Sequence, residues 1–307
     1  MHSTNIATGV VTPNATMNRM YDTDTTNKAI FTKVEKSIGN LDIEAGLRYD
    51  YTDIETQRPN VDDKKYIGIN GYLFTAYNFD EQSKVFAGIG KSSRVPDARE
   101  LYQQTTSSNP NLDQTKNYEI DLGFEKTIGN FNIKPRVFYS ELKDYIYNSS
   151  KFENIDAKIY GVDVSGYYYF TDDLSLDFAL AYLRGKKDGN YIDKDLAEIP
   201  PLKANFALNY EYKKAKFKAE VIAVDRWDSY DASAKEQEIA GYALMNLKYS
   251  QELFKNFELT LGVDNLFDKV YNSTNTYQDI RYVTVGGDQI LFNDPGRYGY
   301  INLKYSF

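Results

Sequence analysis

The residues able to do chemistry in this chain are few in kind and uneven in placement. One histidine, His2, stands in 307 residues, and cysteine is absent. A hydrolytic centre with a histidine general base would have to use His2, and no serine or aspartate is spaced as its partner. Without cysteine there are no thiolate metal sites and no disulfides. Carboxylates are plentiful instead. Asp42, Glu44, Asp50, Glu119, Asp121, Asp163 and Glu258 are interspersed with Arg48, Lys134, Arg136, Lys218 and Lys304. Asp62 and Asp63 lack the ligand spacing of a calcium loop. Mixed charges of this kind suit a solvated wall better than a catalytic centre. No cofactor is expected, and no enzyme activity. The formal net charge of −8 speaks against nucleic acid, which needs clustered Lys and Arg.

The elements that carry these charges alternate. In Leu41–Tyr51, one face holds Leu41, Ile43, Ala45, Leu47, Tyr49 and Tyr51, and the other Asp42, Glu44, Arg48 and Asp50. Tyr118–Phe124 and Phe257–Val263 repeat the pattern. Strand side chains point to opposite faces in turn, so each segment is greasy on one side and wet on the other. Such segments recur near 27–38, 41–53, 65–79, 84–93, 116–128, 131–147, 158–170, 174–186, 202–213, 215–227, 241–251, 256–267 and 297–307, about thirteen strands in all. Many reach the about 9–11 residues that a tilted strand needs to cross a bilayer. No apolar run is long enough for a membrane helix.

Connections alternate too. Gly39-Asn40, Asp80–Ser83, Gly129-Asn130, Thr171–Asp173, Lys213-Lys214 and Phe254–Asn256 are tight turns. Longer polar stretches lie at 1–26, 54–64, 94–115, 148–157, 187–201, 228–240 and 268–296. Outer-membrane barrels pair short periplasmic turns with long extracellular loops. The 28 Tyr and 17 Phe against one Trp fit aromatic girdles at two lipid–water boundaries. The expected fold is therefore all-β, a transmembrane antiparallel β-barrel located in the outer membrane. A soluble sandwich would break its strands more often, and a propeller would show a blade repeat. The start at Met1 has neither the basic nor the apolar region of a signal peptide, so an exported protein of this kind is expected to begin upstream.

Three motifs sharpen the reading. The chain ends Tyr298-Gly-Tyr-Ile-Asn-Leu-Lys-Tyr-Ser-Phe307, with Ile301, Leu303, Tyr305 and Phe307 on one face. This resembles the terminal signal read by the barrel-assembly machinery. Asn265-Leu266-Phe267-Asp268-Lys269 with Tyr271, followed by Pro295-Gly296-Arg297, resembles the paired motifs closing the barrels of TonB-dependent receptors. Asn265 and Asp268 suit a strand exit, and Pro295-Gly296 a sharp re-entry. Arg94, Pro96, Glu100, Leu101 and Tyr102, then Asn109, Pro110 and Leu112, are similar to a third segment of that family, from which Val95 and Gln114 depart.

The resemblance runs along essentially the whole chain. It implies that residues 1–307 are the C-terminal part, about thirteen strands, of a barrel of about 22 strands occluded by an N-terminal plug. It also implies partners: the TonB–ExbB–ExbD system acting through a plug outside this sequence, outer-membrane lipid, and a small ligand or metal chelate. The function implied is active uptake of a scarce ligand, such as copper or a ferric siderophore. No histidine stands between Asp97 and Ser108, where haem receptors of the family carry one, which disfavours haem. The segments around Val95–Tyr102, Asn154–Ala157, Ala181–Gly185 and Ile199–Leu202 look most like the copper-receptor branch. A soft copper site would want His and Met ligands; His2, Met17 and Met20 are the ones available, in a loop that otherwise reads as tolerant surface. A passive porin is the alternative. A barrel hydrolase, of the phospholipase or omptin-like kind, is further off, because the one histidine is His2, with no Ser or Asp partner recognisable by spacing.

Overall fold

Period-two alternation becomes a two-faced sheet in the computed structural model, which describes residues 2–4, 11–13, 20–104, 107–254, 256–275, 282–285, 288–291 and 293–307. In chain order the elements are β1 (His2–Thr4), β2 (Val11–Pro13), β3 (Thr23–Ile38), β4 (Leu41–Thr56), β5 (Lys64–Asp80), β6 (Ser83–Arg94), α1 (Ala98–Tyr102), β7 (Thr115–Ile128), β8 (Phe131–Asn148) and β9 (Phe152–Tyr169). They continue with β10 (Leu174–Asp188), β11 (Lys203–Tyr212), β12 (Ala215–Val224), a 3₁₀ turn (Ala232–Ala234), β13 (Tyr242–Phe254), β14 (Phe257–Asp264), β15 (Tyr282–Val285), β16 (Asp288–Leu291) and β17 (Tyr298–Tyr305). Thirteen strands form one sheet in the order β17-β14-β13-β12-β11-β10-β9-β8-β7-β6-β5-β4-β3, a meander with β3 and β17 at its edges. Hairpins β1-β2 and β15-β16 are separate. None of the described helices is long and apolar enough to cross a membrane.

One face of the sheet is apolar and uncovered. In β7, Ile120 and Leu122 are each 52% exposed; in water such a surface would be untenable across so many strands, and in lipid it is required. The opposite face carries the charges as ladders. Arg136 reaches Asp121 at 3.2 Å and Asp163 at 2.8 Å, spanning β7, β8 and β9. Lys84 and Lys134 flank Glu125 at 3.0 and 3.9 Å. Arg48 holds Asp50 at 2.7 Å, and the Tyr72 hydroxyl donates to Glu44 at 2.5 Å. Tyr72 and Phe86 lie over Gly46 and Gly123 of adjoining strands, where any side chain would collide with the ring.

The short turns sit at one end of the sheet and the long connections at the other, the end that faces outward in such barrels. Several stretches read as loop contain strand, among them the hairpins β1-β2 and β15-β16 within 1–26 and 268–296, and one bears on the mouth. The sequence reads as a loop over residues 148–157, but β8 and β9 continue there as a ribbon with Tyr145–Asn148 paired to Phe152–Ile155. The polar residues suggest a loop; in fact they serve a bulge. Asp144 takes a left-handed φ of 53°, and its N–H donates to Asp156, which also holds Lys143 at 2.9 Å.

The two faces predict opposite tolerances. Leu122→Lys, near the middle of β7, is expected to destabilise the membrane-inserted protein by about 2–4 kcal/mol. Asp121→Asn, one residue away on the wet face, is expected to cost about 1 kcal/mol or less. Denaturant unfolding in lipid vesicles, read by heat-modified gel mobility, measures both.

Candidate functional site

At the outer end the chain builds a mouth from three groups of residues. The first follows β6. Asp97 caps α1 by accepting the Glu100 N–H at 2.8 Å, and Glu100 accepts the Asp97 N–H at 2.8 Å, a reciprocal capping box. Both oxygens of Glu100 also accept from Arg94, at 2.9 Å each. The fork aligns the end of β6 with the helix that follows it. Behind them Leu101 and Tyr102 are completely buried against Ile54, Tyr66, Leu112, Ile146 and Phe152, with Pro96 also enclosed. Each such side chain contributes about 1.5–3 kcal/mol of burial. Asn109 donates to the Phe152 carbonyl at 3.1 Å, and Tyr66 donates to the Leu112 carbonyl at 2.8 Å. Pro110 sits half-buried beside them. The segment is a folded knob spanning the outer ends of β4, β5, β8 and β9.

The second group is a buried polar network that spacing did not reveal. Asp231 is fully buried and accepts from Lys187 Nζ at 2.7 Å, from Ser233 Oγ at 2.7 Å and from the Tyr147 hydroxyl. Lys187 is itself only 4% exposed at the side chain. Hydrogen bonds from Lys187, Tyr147 and Ser233 outweigh burial and hold the Asp231 carboxyl below the ordinary carboxylate range. Next to it, Glu236 accepts the Asp231 N–H at 2.8 Å and the Glu198 N–H at 2.7 Å. Burial dominates there, raising Glu236 from 4.5 to about 7. These contacts fasten the connection between β10 and β11 to the one between β12 and β13. The partners are far apart in sequence, 84 residues for Tyr147 and Asp231, so no local pattern announces them. Between knob and network lies a cavity of about 440 Å³, lined by Asp97, Arg99, Glu100, Tyr145, Tyr147 and Glu198 among others.

The third group joins the two C-terminal motifs. Asn265 adopts a φ of 51° and Asp268 of 54°. The buried Asn265 side chain donates to the Lys269 carbonyl and accepts the Lys269 N–H, both at 2.8 Å. Asp268 accepts the Arg297 N–H at 2.8 Å, and the Arg297 guanidinium donates to the Leu266 carbonyl at 3.5 Å. Gly296 is needed where the Asp268 carboxylate packs on it; Phe267 and Pro295 are exposed. On β17, Ile301, Leu303 and Tyr305 face outward with Phe307 beyond them, all exposed. Of the soft donors, Met17 and the His2 side chain lie outside the described residues. Met20 is exposed and bridges to Gln103 in the knob. Among the described residues no three His, Cys, Asp or Glu side chains converge as a metal site would require.

A meander of long, two-faced strands with turns at one end and tied loops at the other defines an outer-membrane β-barrel. The family described as "TonB dependent receptor-like, beta-barrel" matches residues 2–266. The chain belongs to that family, and with it to the outer membrane. It is 30% identical over 231 residues to the vitamin B12 transporter BtuB of Photobacterium profundum, covering 70% of this chain and 37% of that protein. It is 26% identical to the TonB-dependent heme receptor A of Haemophilus influenzae, over 80% of this chain and 42% of the relative. The fold matches the copper transporter OprC with a TM-score of 0.85 at 22% identity, over 100% of this chain and 51% of that one. The chain spans roughly two fifths to half the length of these proteins.

Two outcomes follow for the network. Lys187→Met leaves the Asp231 carboxylate buried without its cation, a loss of about 3–5 kcal/mol. Limited proteolysis should then cut within 228–240 while the strands stay protected. The Glu236 carboxyl has a folded pKa above its unfolded one, so its contribution is present below about 4.5 and is lost as pH rises through about 7. Hydrogen-exchange protection of residues 228–240, corrected for intrinsic rates, should fall across that window in the parent. In Glu236→Gln that pH dependence should disappear.

Proposed function

We propose that this chain forms the C-terminal wall and outer mouth of a plugged barrel of about 22 strands. In this reading the protein takes up a scarce ligand through the outer membrane with energy from TonB–ExbB–ExbD. The plug and the segment that contacts TonB belong to parts of the protein outside this chain. The observation that carries the reading is the mouth itself: at one end of a charge-lined face, loop systems are held by a buried cluster and a buried polar network, and Asn275 ties the C-terminal loop to the 228–240 connection at Gln237. A mouth so ordered offers a preformed surface to a ligand. The chain supplies binding and a conduit, without covalent chemistry.

Copper is the cargo we favour. Support comes from the likeness of fold to the copper transporter OprC along the whole chain, and from the soft donors His2, Met17 and Met20. A ferric siderophore is the second cargo, supported by a fold match at TM-score 0.72 to the ferric yersiniabactin uptake receptor FyuA from Yersinia pestis. The exposed Ile301, Leu303, Tyr305 and Phe307 face would be presented to the barrel-assembly machinery before lipid covers it.

Uptake of radiolabelled copper and of ferric siderophores, in cells expressing the full-length gene with and without TonB, tests this. Copper accumulation is expected to fall to background without TonB. Accumulation that ignores TonB would remove both the active mechanism and the preference over a passive pore.

A further inference from the structure

The lipid-facing side of the sheet changes character toward the end that carries the long connections. Lys91 on β6 stands opposite Tyr118 on β7, Tyr118 opposite Glu141 on β8, and Glu141 opposite Lys158 on β9. One row further in, Tyr139 and Tyr160 lead to Arg184 on β10. Such tyrosines mark the level at which hydrocarbon gives way to headgroups. Below Lys91 the surface is hollow. A groove of about 540 Å³ crosses β5, β6, β7 and β8, with the exposed Leu73, Ile89 and Ile120 along it and Lys91 and Tyr118 at its outer rim. Gly71, opposite Lys91, puts no side chain on the outward side of β5 and so leaves the groove open there.

Among the described residues Lys91 forms no ion pair; its ammonium lies 5.9 Å from the centre of the Tyr118 ring. Arg184 forms none either, its Nε donating to the Tyr182 hydroxyl at 3.1 Å. The carboxylates of this surface are engaged: Lys143 holds Glu141 at 3.0 Å and Asp156 at 2.9 Å, and Lys158 holds Asp188 at 2.9 Å. Glu141 also borders the groove, but two strand spacings, about 10 Å, and the Tyr118 position separate it from Lys91. Glu119 borders it through its backbone and directs its side chain to the wet face, where Asn117 donates to it at 3.5 Å. The capacity left over at this level is therefore cationic, and it stands above an apolar floor. Hydrocarbon satisfies the floor, and an anion at headgroup level satisfies the cation. A phosphorylated lipid offers both in one molecule. Because the long connections mark the outward end, that lipid belongs to the outer leaflet, which in this membrane is built of phosphorylated, polyacylated glycolipid.

We infer that the outward face of β5, β6, β7 and β8 is a binding site for this phosphorylated glycolipid, one acyl chain lying in the groove along Leu73, Ile89 and Ile120 and a phosphate resting on the Lys91 ammonium. The site seats the barrel in its outer leaflet and is independent of the cargo the protein carries.

A cross-linker placed at the inner end of the groove tests it. Full-length protein carrying Ala87→p-benzoylphenylalanine, a lipid-facing position two residues further into the membrane than Ile89, is purified in detergent and mixed with equal amounts of bisphosphorylated lipid A and phosphatidylglycerol. After irradiation, the mass of the peptide that carries position 87 identifies what lay there. A saturable lipid A adduct is expected to dominate. Its yield at sub-saturating lipid should fall about fivefold with Lys91→Met, the worth of one cation at a lipid surface. It should fall at least as far, with Lys91 in place, when both phosphates are removed from the lipid A. Lys36→Met, which removes a lipid-facing lysine near the turn end of β3, should leave the yield unchanged, and heat-modified mobility should be unaltered in both variants. A predominant phosphatidylglycerol adduct, a cross-link to a second copy of the chain, or equal yields from phosphorylated and dephosphorylated lipid A overturns the site even if a variant fails to fold. A fall in Lys36→Met as large as in Lys91→Met overturns it as well.

Discussion

Hydrocarbon offers no hydrogen-bond partner to a peptide group, and the rest of this structure follows from that constraint. Each N–H and C=O within the bilayer must be met by a neighbouring strand, so the ladders have to run unbroken where water is absent. The register shifts lie where water can reach, while the β7–β8 pairing is interrupted between Gly123/Arg136 and Lys126/Ile133, beside Pro135, which has no N–H to give. Register shifts occur at Asn78/Asp80 and Glu252/Phe254 beside short turns, and at Leu142/Tyr145 on the outer extension of β8. A bulge leaves a residue unpaired, tolerable in solvent and ruinous in lipid. The same constraint bears on β3 and β17, whose outer edges carry backbone groups with no partner strand in the sheet.

Strict pairing also fixes which side of each strand meets lipid, and so hands most of the charge to the other side; Lys91, Glu141, Lys158 and Arg184, in the row of Tyr118 and Tyr160, stand toward the outer end of the lipid side. On the wet face, partners on adjacent strands neutralise one another, as Arg136 does between Asp121 and Asp163. These half-exposed pairs are individually worth little; their value is that the charges of the wet face satisfy one another away from lipid. Beyond the membrane the physics changes. The outer connections have no ladder to hold them and are ordered by desolvated contacts instead, the Leu101–Tyr102 cluster and the Lys187–Asp231 pair.

This division explains what could be read from the sequence. Period-two alternation is local, so the strands and the end on which each turn falls were legible from single segments such as Tyr118–Phe124. The left-handed positions of Asn265 and Asp268 were legible as a strand exit because their residue types tolerate that conformation. The ribbon at 152–157 was not, because Asn154 and Asp156 direct their polarity to the bulge and the neighbouring segment rather than to solvent. Nor was the network around Asp231. Lys187 and Tyr147 lie 44 and 84 residues from Asp231, and nothing in Asp231-Ala-Ser-Ala234 says that a lysine from the end of β10 will be buried against it.

The residues that carry the family resemblance have a common property in three dimensions. Arg94 and Glu100 satisfy each other in a two-bond fork, Asn265 closes on Lys269, and Asp268 on Arg297. Their hydrogen-bonding capacity is largely taken up within the mouth, which makes them its framework. A ligand is read by groups with capacity left over.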